Sequence, residues 1–395
     1  MGLRLFFGYS SVTSTRTLPR AFDGHNAIWN DLREHDVIAS VRHAVICLVA
    51  CSSAASAPTP PEPVSKSVTV KTASPAVVTI GVRTNDAVVT RARIVATVDD
   101  GKPSDKPSYA RSGQRVTLYA VIATKGAVYT DAALPKAHPL AEAPLVTLAW
   151  NRVEPASNNY SNGEPDTFHY EPIDYQATPI DAHTGSIAPD IRPTLTPDHG
   201  NGVGTMRYQL VVAQGDRTIA SPGVDARRGN GSGGLTDAVT RVSIRRDDTY
   251  LGYLTEMYGQ PYIWASSGLT DATHQSDRLE GSDCADFVVY GRRRMGKHVA
   301  YTWTGGLPDV TKLLASGARG DDGIYRDKKG KPIAFPEVGD LVLFPRHVGV
   351  LVEDRGTIGV LDDQDILMHT LFDSPKEVPL ADSGYADKPI ELRRW

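Results

Sequence analysis

One cysteine in the C-terminal third of the chain is placed where it could act as a nucleophile. Cys284 lies in "GSDCADFVVYGRRRMG" (281–296) and is the only cysteine after Cys51; the third is Cys47. An isolated cysteine in a chain that also carries histidines is a candidate catalytic nucleophile. The chemistry this predicts is attack of a thiolate on a carbonyl carbon. The alternative is that Cys284 is simply a small buried hydrophobe.

The residues around Cys284 predict that it lies in the first turn of a helix. Apolar residues recur at helical spacing after it, Gly296 is a suitable stop, and Ser282 or Asp283 can cap the start. The N–H groups and dipole at a helix N-terminus stabilise a thiolate and lower its pKa. The carboxylates of Asp283 and Asp286 would oppose this if they pointed at the sulfur, so the hypothesis requires them to point elsewhere.

A thiol nucleophile needs a base, and the base needs a partner that orients it. "FPRHVGVLV" places His347 at the start of a predicted strand, and "ILMHT" places His369 on a following one. If these strands are neighbours, His369 can form the hydrogen bond that fixes the tautomer of His347. Alternatives for the orienting group are Asp362, Asp363 and Gln364. Alternatively, His347 is a structural histidine.

Four segments in this order resemble the NlpC/P60 superfamily of cell-wall cysteine peptidases: "YGQPYIW", "DCADFVVYGRRRMG", "VGDLVLFPRHVGVLVED" and "ILMHTLF". The resemblance covers residues 249–395. It implies that Cys284 is the nucleophile, His347 the general base and acid, and His369 the orienting residue. It also implies that Tyr262 lies near the nucleophile.

The sequence departs from the family pattern in two spacings and at two residue motifs. The insert Leu269 to Glu280 and the 22-residue step from His347 to His369 are longer than the family pattern leads us to expect. The usual Asp-Cys-Ser-Gly is Asp-Cys-Ala-Asp here, so Asp286 replaces a small flexible residue. The usual Gly-Gly after the tryptophan is Ala265-Ser266-Ser267. These departures mark a divergent member and bear mainly on its substrate.

The chain divides into three predicted segments. Residues 1–65 are a leader and a Pro/Ser/Ala-rich linker. Residues 66–245 alternate apolar and polar residues in short β-branched runs, such as "RARIVATVDD" and "QRVTLYAVIAT", which is typical of an all-β region. Residues 246–395 are predicted as the catalytic domain. The fold class expected is therefore α+β: a papain-like C-terminal domain, with helices packed on an antiparallel sheet, preceded by the all-β region.

The leader contains a short apolar stretch that resembles a bacterial lipoprotein signal. "VRHAVICLVACSSAASAPTPPEPVS" ends its apolar run at Leu48-Val49-Ala50-Cys51. The resemblance implies export to the cell envelope and a lipid anchor on Cys51, with the flexible tether that follows it joining the anchor to the rest of the chain. The alternative is a chance match within a leader.

Composition excludes several other classes of protein. The formal net charge is −4 over 395 residues and no basic face is concentrated, so nothing predicts nucleic-acid binding. No cysteine and histidine spacing fits zinc, and the oxygen-rich "DDGIYRDKKGKP" and "LDDQD" do not match a calcium loop. No cofactor or metal is therefore expected.

The leading prediction is an exported, lipid-anchored thiol hydrolase that cleaves an amide in the stem peptides of bacterial peptidoglycan. In the resembled family the usual bond joins a D-glutamyl residue to a diamino acid. One alternative is a non-catalytic envelope-binding lipoprotein that keeps the fold, which the carboxylate of Asp286 near the thiol motivates. Another is a thiol acyltransferase or a different amidase of the same superfamily.

Overall fold

The computed structural model describes residues 76–164, 167–229 and 232–395. The predicted leader, linker and lipidation site at Cys51 lie outside these residues. In the described part of the chain, no helix combines the length and the apolar composition needed to cross a bilayer.

The region up to residue 245 is built from short strands, as its alternating sequence predicts. The apolar residue of each alternating pair lies inside, so that β-branched side chains pack on one face of the sheet. The strands are β1 Val78–Ile80, β2 Val89–Val98, β3 Ser108–Arg111, β4 Val116–Thr124, β5 Val128–Tyr129, β6 Val146–Pro155, β7 Asn159–Ser161, β8 Gly163–Glu164, β9 Thr167–Phe168, β10 Tyr175–Ile180, β11 Ser186–Ile187, β12 Gly204–Gln214, β13 Arg217–Ala220 and β14 Thr240–Arg245.

Two of the sheets in this region enclose its hydrophobic core. One runs in the order β1-β6-β12-β14-β3, with β10 and β13 paired at its sides, and the other runs β11-β4-β2 with β5 beside β4. Trp150, Leu118 and Tyr208 are fully buried in the shared core. Burial of such large side chains is the main stabilising contribution here.

The region after residue 245 carries few helical residues. Its helices are α1 Tyr250–Leu254, α2 Cys284–Arg294 and α3 Leu307–Val310, with 3-10 turns at Thr255–Met257, Asp271–Thr273 and Leu380–Asp382; a further 3-10 turn, Leu140–Glu142, lies in the first region. Its strands are β15 Tyr262–Trp264, β16 Lys312–Arg319, β17 Tyr325–Arg326, β18 Leu341–Phe344, β19 His347–Glu353, β20 Ile366–His369, β21 Lys376–Pro379 and β22 Ile390–Arg394.

Seven of these strands form one antiparallel sheet in the order β17-β16-β22-β18-β19-β20-β21. Helix α2 packs its apolar side on this sheet, where Phe287 and Val288 share a buried core with Val348 and Val350 of β19. The sheet therefore holds the start of α2 beside the start of β19.

The predicted α+β, papain-like fold class is wrong. The part of the chain that the structure describes is mostly β-sheet, with 39% of its residues in strands, 10% helical, only three short α-helices and curled sheets. Helix α1 has only five residues before a 3-10 turn, and the sheet that contains β19 has seven strands. Helix α2 alone exceeds five residues among the described residues, so no layer of helices covers the sheet.

The two regions are directly connected. Strand β15 pairs in parallel with β7, and Tyr262 lies opposite Asn159 in that pair. The described residues all fall in one unit, Val70–Trp395. The boundary predicted between residues 245 and 246 lies inside this unit and stays a prediction.

Candidate functional site

Helix α2 begins at Cys284, and Asp283 is its N-cap. The Asp283 Oδ1 accepts hydrogen bonds from the backbone N–H groups of Ala285 and Asp286, both at 2.9 Å. At the other end Gly296 adopts φ +76°, and the N–H groups of Gly296 and Lys297 donate to the carbonyls of Arg293 and Arg292. Both ends are capped as the sequence predicts, which fixes Cys284 at the first helical position.

His347 begins β19, directly after the two-residue connection Pro345-Arg346 that joins it to β18. Its Nε2 lies 2.9 Å from Nδ1 of His369 on the neighbouring strand β20. Its Nδ1 is buried and has no hydrogen-bond partner among the described residues. The pair therefore leaves one imidazole nitrogen of His347 without a partner.

Aromatic rings hold the imidazole of His347 in place. The Tyr385 ring stacks on it with centroids 4.8 Å apart and planes 23° apart, and Phe344 stacks at 5.9 Å. The His369 ring meets it edge-on at 5.1 Å. The His347 side chain therefore has little freedom to rotate.

The thiol of Cys284 lies against the first residues of β19. The backbone N–H groups of Val348 and of Cys284 itself lie near the sulfur and favour its thiolate form. Cys284 is 6% exposed, His347 is fully buried and His369 is 2% exposed. All three residues are therefore nearly or fully buried, and Cys284 shares a hydrophobic core with Val348, the residue that follows His347.

Burial controls the ionisation of this site. It raises the pKa of the Cys284 thiol well above its ordinary value, and the Asp283 carboxylate adds to that shift. Burial also lowers the pKa of His347 to about 3, with the neighbouring His369 contributing, and lowers that of His369 to about 4. The resting site is thus a neutral thiol beside two neutral imidazoles, rather than the thiolate expected from the helix dipole alone.

Tyr262 lies beside the thiol, as the resemblance implies. It is buried on β15, and Phe372 packs edge-on against its ring at 5.4 Å. Burial raises the pKa of Tyr262, and the nearby Cys284 is the next cause. The Phe372 side chain is 63% exposed and covers Tyr262 from the solvent side.

Asp286, the departure from the family pattern, is bound in a separate polar cluster. Its Oδ2 accepts a 2.5 Å hydrogen bond from Ser266 Oγ and lies 3.4 Å from Nε2 of His274. The Ser266 Oγ in turn accepts from the backbone N–H of Asp283. Burial, followed by the Asp283 charge, raises the pKa of Asp286 well above its ordinary value, which favours the neutral form of the carboxyl. The Asp286 carboxylate also raises the pKa of the Cys284 thiol, but less than burial and the Asp283 carboxylate do.

The alternative orienting groups are engaged elsewhere. Asp362 accepts backbone hydrogen bonds from Thr357 and Gln364, and Asp363 pairs with Arg319 at 2.5 Å. The nitrogen partner of His347 is therefore His369. The catalytic roles of Cys284, His347, His369 and Tyr262 stay predictions.

Sequence reasoning missed several residues at this site. Tyr385 and Phe372 come from loops, and Arg346 adopts φ +68° in the connection before His347. Loop side chains carry no periodicity that would place them in space. A non-glycine residue at positive φ is also invisible in the sequence.

No group of three or more histidine, cysteine or acidic side chains in the described residues is arranged to hold a metal ion. The two oxygen-rich segments are engaged in turns and ion pairs: Asp322 pairs with Arg326 at 2.6 Å, and Asp327 accepts from backbone N–H groups of its own turn.

Comparisons of this chain with family models, with curated proteins and with solved structures give no match.

Proposed function

We propose that this protein is a thiol hydrolase that uses Cys284 as nucleophile and His347 as general base to cleave an amide bond. The observation that supports this most is the imidazole pair. His347 Nε2 is bound to His369, while its Nδ1 stays buried and unpaired at the start of the strand that contacts the Cys284 sulfur. A buried ring nitrogen without a partner costs free energy and needs an explanation, and a role in proton transfer is one.

The neutral state of the site defines the first step. As Cys284 Sγ attacks the carbonyl carbon, its proton passes to Nδ1 of His347. This requires His347 to carry its own proton on Nε2 and donate it to Nδ1 of His369. The resulting imidazolium then gives the proton to the leaving amine, and water hydrolyses the thioester to a carboxylic acid and the free thiol.

Backbone N–H groups near the Cys284 sulfur can stabilise the negative charge that develops on the carbonyl oxygen of the substrate. Asp283 occupies the N–H groups of Ala285 and Asp286, which leaves those of Cys284 and Val348 near the sulfur. Donors aimed at the developing oxyanion contribute strongly to acyl transfer. Phe372 and Tyr385 must move for a substrate to reach this nearly closed thiol.

The proposed substrate is the stem peptide of peptidoglycan, and it rests on the order of the sequence segments rather than on the geometry. Purified sacculi incubated with the full-length protein should release soluble muropeptides, and their masses identify the bond that breaks. Products carrying a new acyl linkage instead of a free acid would indicate acyl transfer.

Matched variants test the proposed chemistry. Cys284→Ala and His347→Gln should both abolish release, whereas His298→Gln, which changes an exposed histidine of the same region, should leave it unchanged. Digestion by Cys284→Ala as fast as by wild type would end the proposal.

A non-catalytic binding role is the second candidate, because the thiol is 6% exposed and its pKa is raised by burial and by Asp283. Labelling with iodoacetamide across pH distinguishes the two candidates. The comparison is wild type against His347→Gln at the same pH: slower modification of Cys284 in the variant supports the enzyme, because its general base is missing, and equal rates support the binding protein.

The proposed location is the cell envelope, through a lipid on Cys51. Incorporation of labelled palmitate into wild type, and its loss in Cys51→Ala, is the expected result. Equal labelling of both proteins would remove the anchor from the proposal.

A further inference from the structure

A cavity of about 650 Å³ opens beside the turn that delivers His347. Its floor is formed by β16, β18 and β22, and its walls come from the loop around Trp303 and the turn around Lys328. Phe344 and Arg346, the residues before His347, line it directly. A volume of this size accommodates a few residues of a peptide.

The charged groups of the cavity leave two cations without a partner. Glu391 pairs with Arg393 at 2.7 Å, Arg326 pairs with Asp322, and Asp327 accepts from its own turn. Among the described residues no carboxylate lies within ion-pair distance of Arg346 or Lys328, and both side chains are exposed. The cavity therefore favours an anionic ligand.

An aromatic platform stands at the same cavity. The Trp303 side chain is 58% exposed, and its ring lies so close over Gly305 that a Cβ there would collide with it. Contact with the Gly305 backbone holds one face of the indole, which leaves the other face for an aliphatic or planar group of a ligand.

Arg346 belongs both to the cavity and to the thiol site. It directly precedes His347, and its positive charge partly offsets the rise that burial and Cys284 cause in the pKa of Tyr262 and Tyr385. Its backbone adopts φ +68°, a conformation that favours glycine. This backbone conformation directs Arg346 from the tight connection before the proposed base, and its side chain lines the cavity.

We propose that this cavity binds the substrate as an acidic peptide, whose free carboxylate pairs with Arg346 and Lys328 while its aliphatic part lies on Trp303. Rigid guanidinium groups bind carboxylates through two parallel hydrogen bonds, which gives direction as well as affinity. The inference rests on the proposed function, because it makes Arg346 the residue that directs a bound peptide toward Cys284.

Binding to the full-length Cys284→Ala protein tests this without consuming the probe. The probes are two forms of the peptide Ala-γ-D-Glu-Lys, one with the free glutamyl α-carboxylate and one with a carboxamide there. Calorimetry should show the carboxylate form binding about tenfold or more tightly, the change expected for one charge-assisted hydrogen bond.

Variants in the same background separate recognition from structure. Arg346→Gln should remove the preference for the carboxylate, Arg346→Lys should keep part of it, and Arg83→Gln, an exposed arginine of the first region, should keep all of it. Arg346→Gly relieves the positive φ and should fold at least as stably, yet it should lose the preference as fully as Arg346→Gln. Trp303→Ala should weaken both forms equally.

Equal affinity for the two peptides, no binding of either, or an unchanged preference in Arg346→Gln would each overturn the inference. These outcomes differ from failure of the proposed function, which is absence of cleavage by wild-type protein. Carboxylate-dependent binding without cleavage keeps the cavity and removes the hydrolase. Cleavage that does not depend on Arg346 keeps the hydrolase and removes the cavity as its substrate site.

Discussion

Two buried histidines of the region after residue 245 differ in their surroundings. The partners of His347 are neutral: His369 at 2.9 Å and the stacked ring of Tyr385. His274 faces Asp286, and its ring stacks on Tyr301 with centroids 3.7 Å apart. Both rings are fixed, but the His347–His369 pair leaves two buried ring nitrogens without a partner, Nδ1 of His347 and Nε2 of His369.

The surroundings of His274 form a network whose members are bound to one another. Ser276 N–H donates to His274 Nδ1, so the proton on this ring lies on Nε2 and points at Asp286. The Tyr301 hydroxyl donates to Asp277, which also pairs with Arg293 at 3.0 Å. Such a network contributes to rigidity and position, whereas an unpaired nitrogen beside a thiol is available for proton transfer. Burial alone therefore does not distinguish a structural histidine from a proposed base.

The largest expected effect is on activity, when the proposed base His347 is replaced. His347→Gln should lower kcat/KM for the peptide substrate by about 10³-fold, within the range for loss of a general base, while the protein stays folded. The counterpart His274→Gln should lower the melting temperature and change kcat/KM only a few-fold. The comparison fails if both variants lose activity equally without loss of structure.

The next largest effect is on stability, through the polar cluster of Asp286, Ser266 and His274. Asp286→Ala leaves Ser266 and His274 without their shared acceptor, and we expect about 2 kcal/mol of destabilisation in urea unfolding. Asp286→Asn should cost less, because the buried carboxyl is already neutral and the amide keeps an acceptor oxygen. If the asparagine variant were the less stable of the two, Asp286 would be ionised in the folded protein.

The sequence could predict the parts of the site that depend on local rules. The caps at Asp283 and Gly296, and the start of β19 at His347, follow from residues close in the chain. The adjacency of His347 and His369 follows from consecutive strands, which usually pair. These local rules placed the proposed nucleophile, base and orienting residue together.

The prediction of the fold class was wrong where local sequence patterns are weak. Strand β16, "KLLASGAR", shows no clean alternation and exposes Leu313 and Leu314, so its place in the sheet depends on pairing with β22. Tyr385 reaches His347 from a loop about a hundred residues after Cys284. Contacts of this kind are set by tertiary packing and carry no periodic pattern in the sequence.

The pH dependence of the free energy of unfolding tests whether His347 is neutral in the folded protein. Its pKa falls from the usual 6.5 to about 3 on folding, so the unfolded chain binds the extra proton first as pH drops. Its contribution is complete above pH 6.5 and is lost as pH falls toward 3, at about 1 kcal/mol per pH unit. Urea unfolding at pH 7.5 and 5 should therefore show a larger loss for wild type than for His347→Gln.

A control is built into that comparison. Burial raises the pKa of Asp283 to about 6, so its contribution has the opposite sign: it is complete below pH 3.8 and is lost as pH rises through 6. Asp283 is present in both proteins, so its effect cancels in the difference. Equal losses in wild type and His347→Gln would mean that His347 is charged in the folded state.

The smallest expected effect concerns the carboxylate of Asp283. Asp283→Asn keeps an N-cap acceptor, since asparagine caps helices as well as aspartate, but it removes the charge that raises the Cys284 pKa after burial itself. Iodoacetamide labelling of Cys284 should therefore reach its half-maximal rate at a lower pH than in wild type, with the melting temperature nearly unchanged. Asp286→Asn should shift the labelling curve less, because that carboxyl is neutral and bound by Ser266. A larger shift in Asp286→Asn would mean that the Asp286 charge acts on the Cys284 thiol more strongly than the Asp283 charge does. The surroundings of His274 and of His347 could then not be treated as separate.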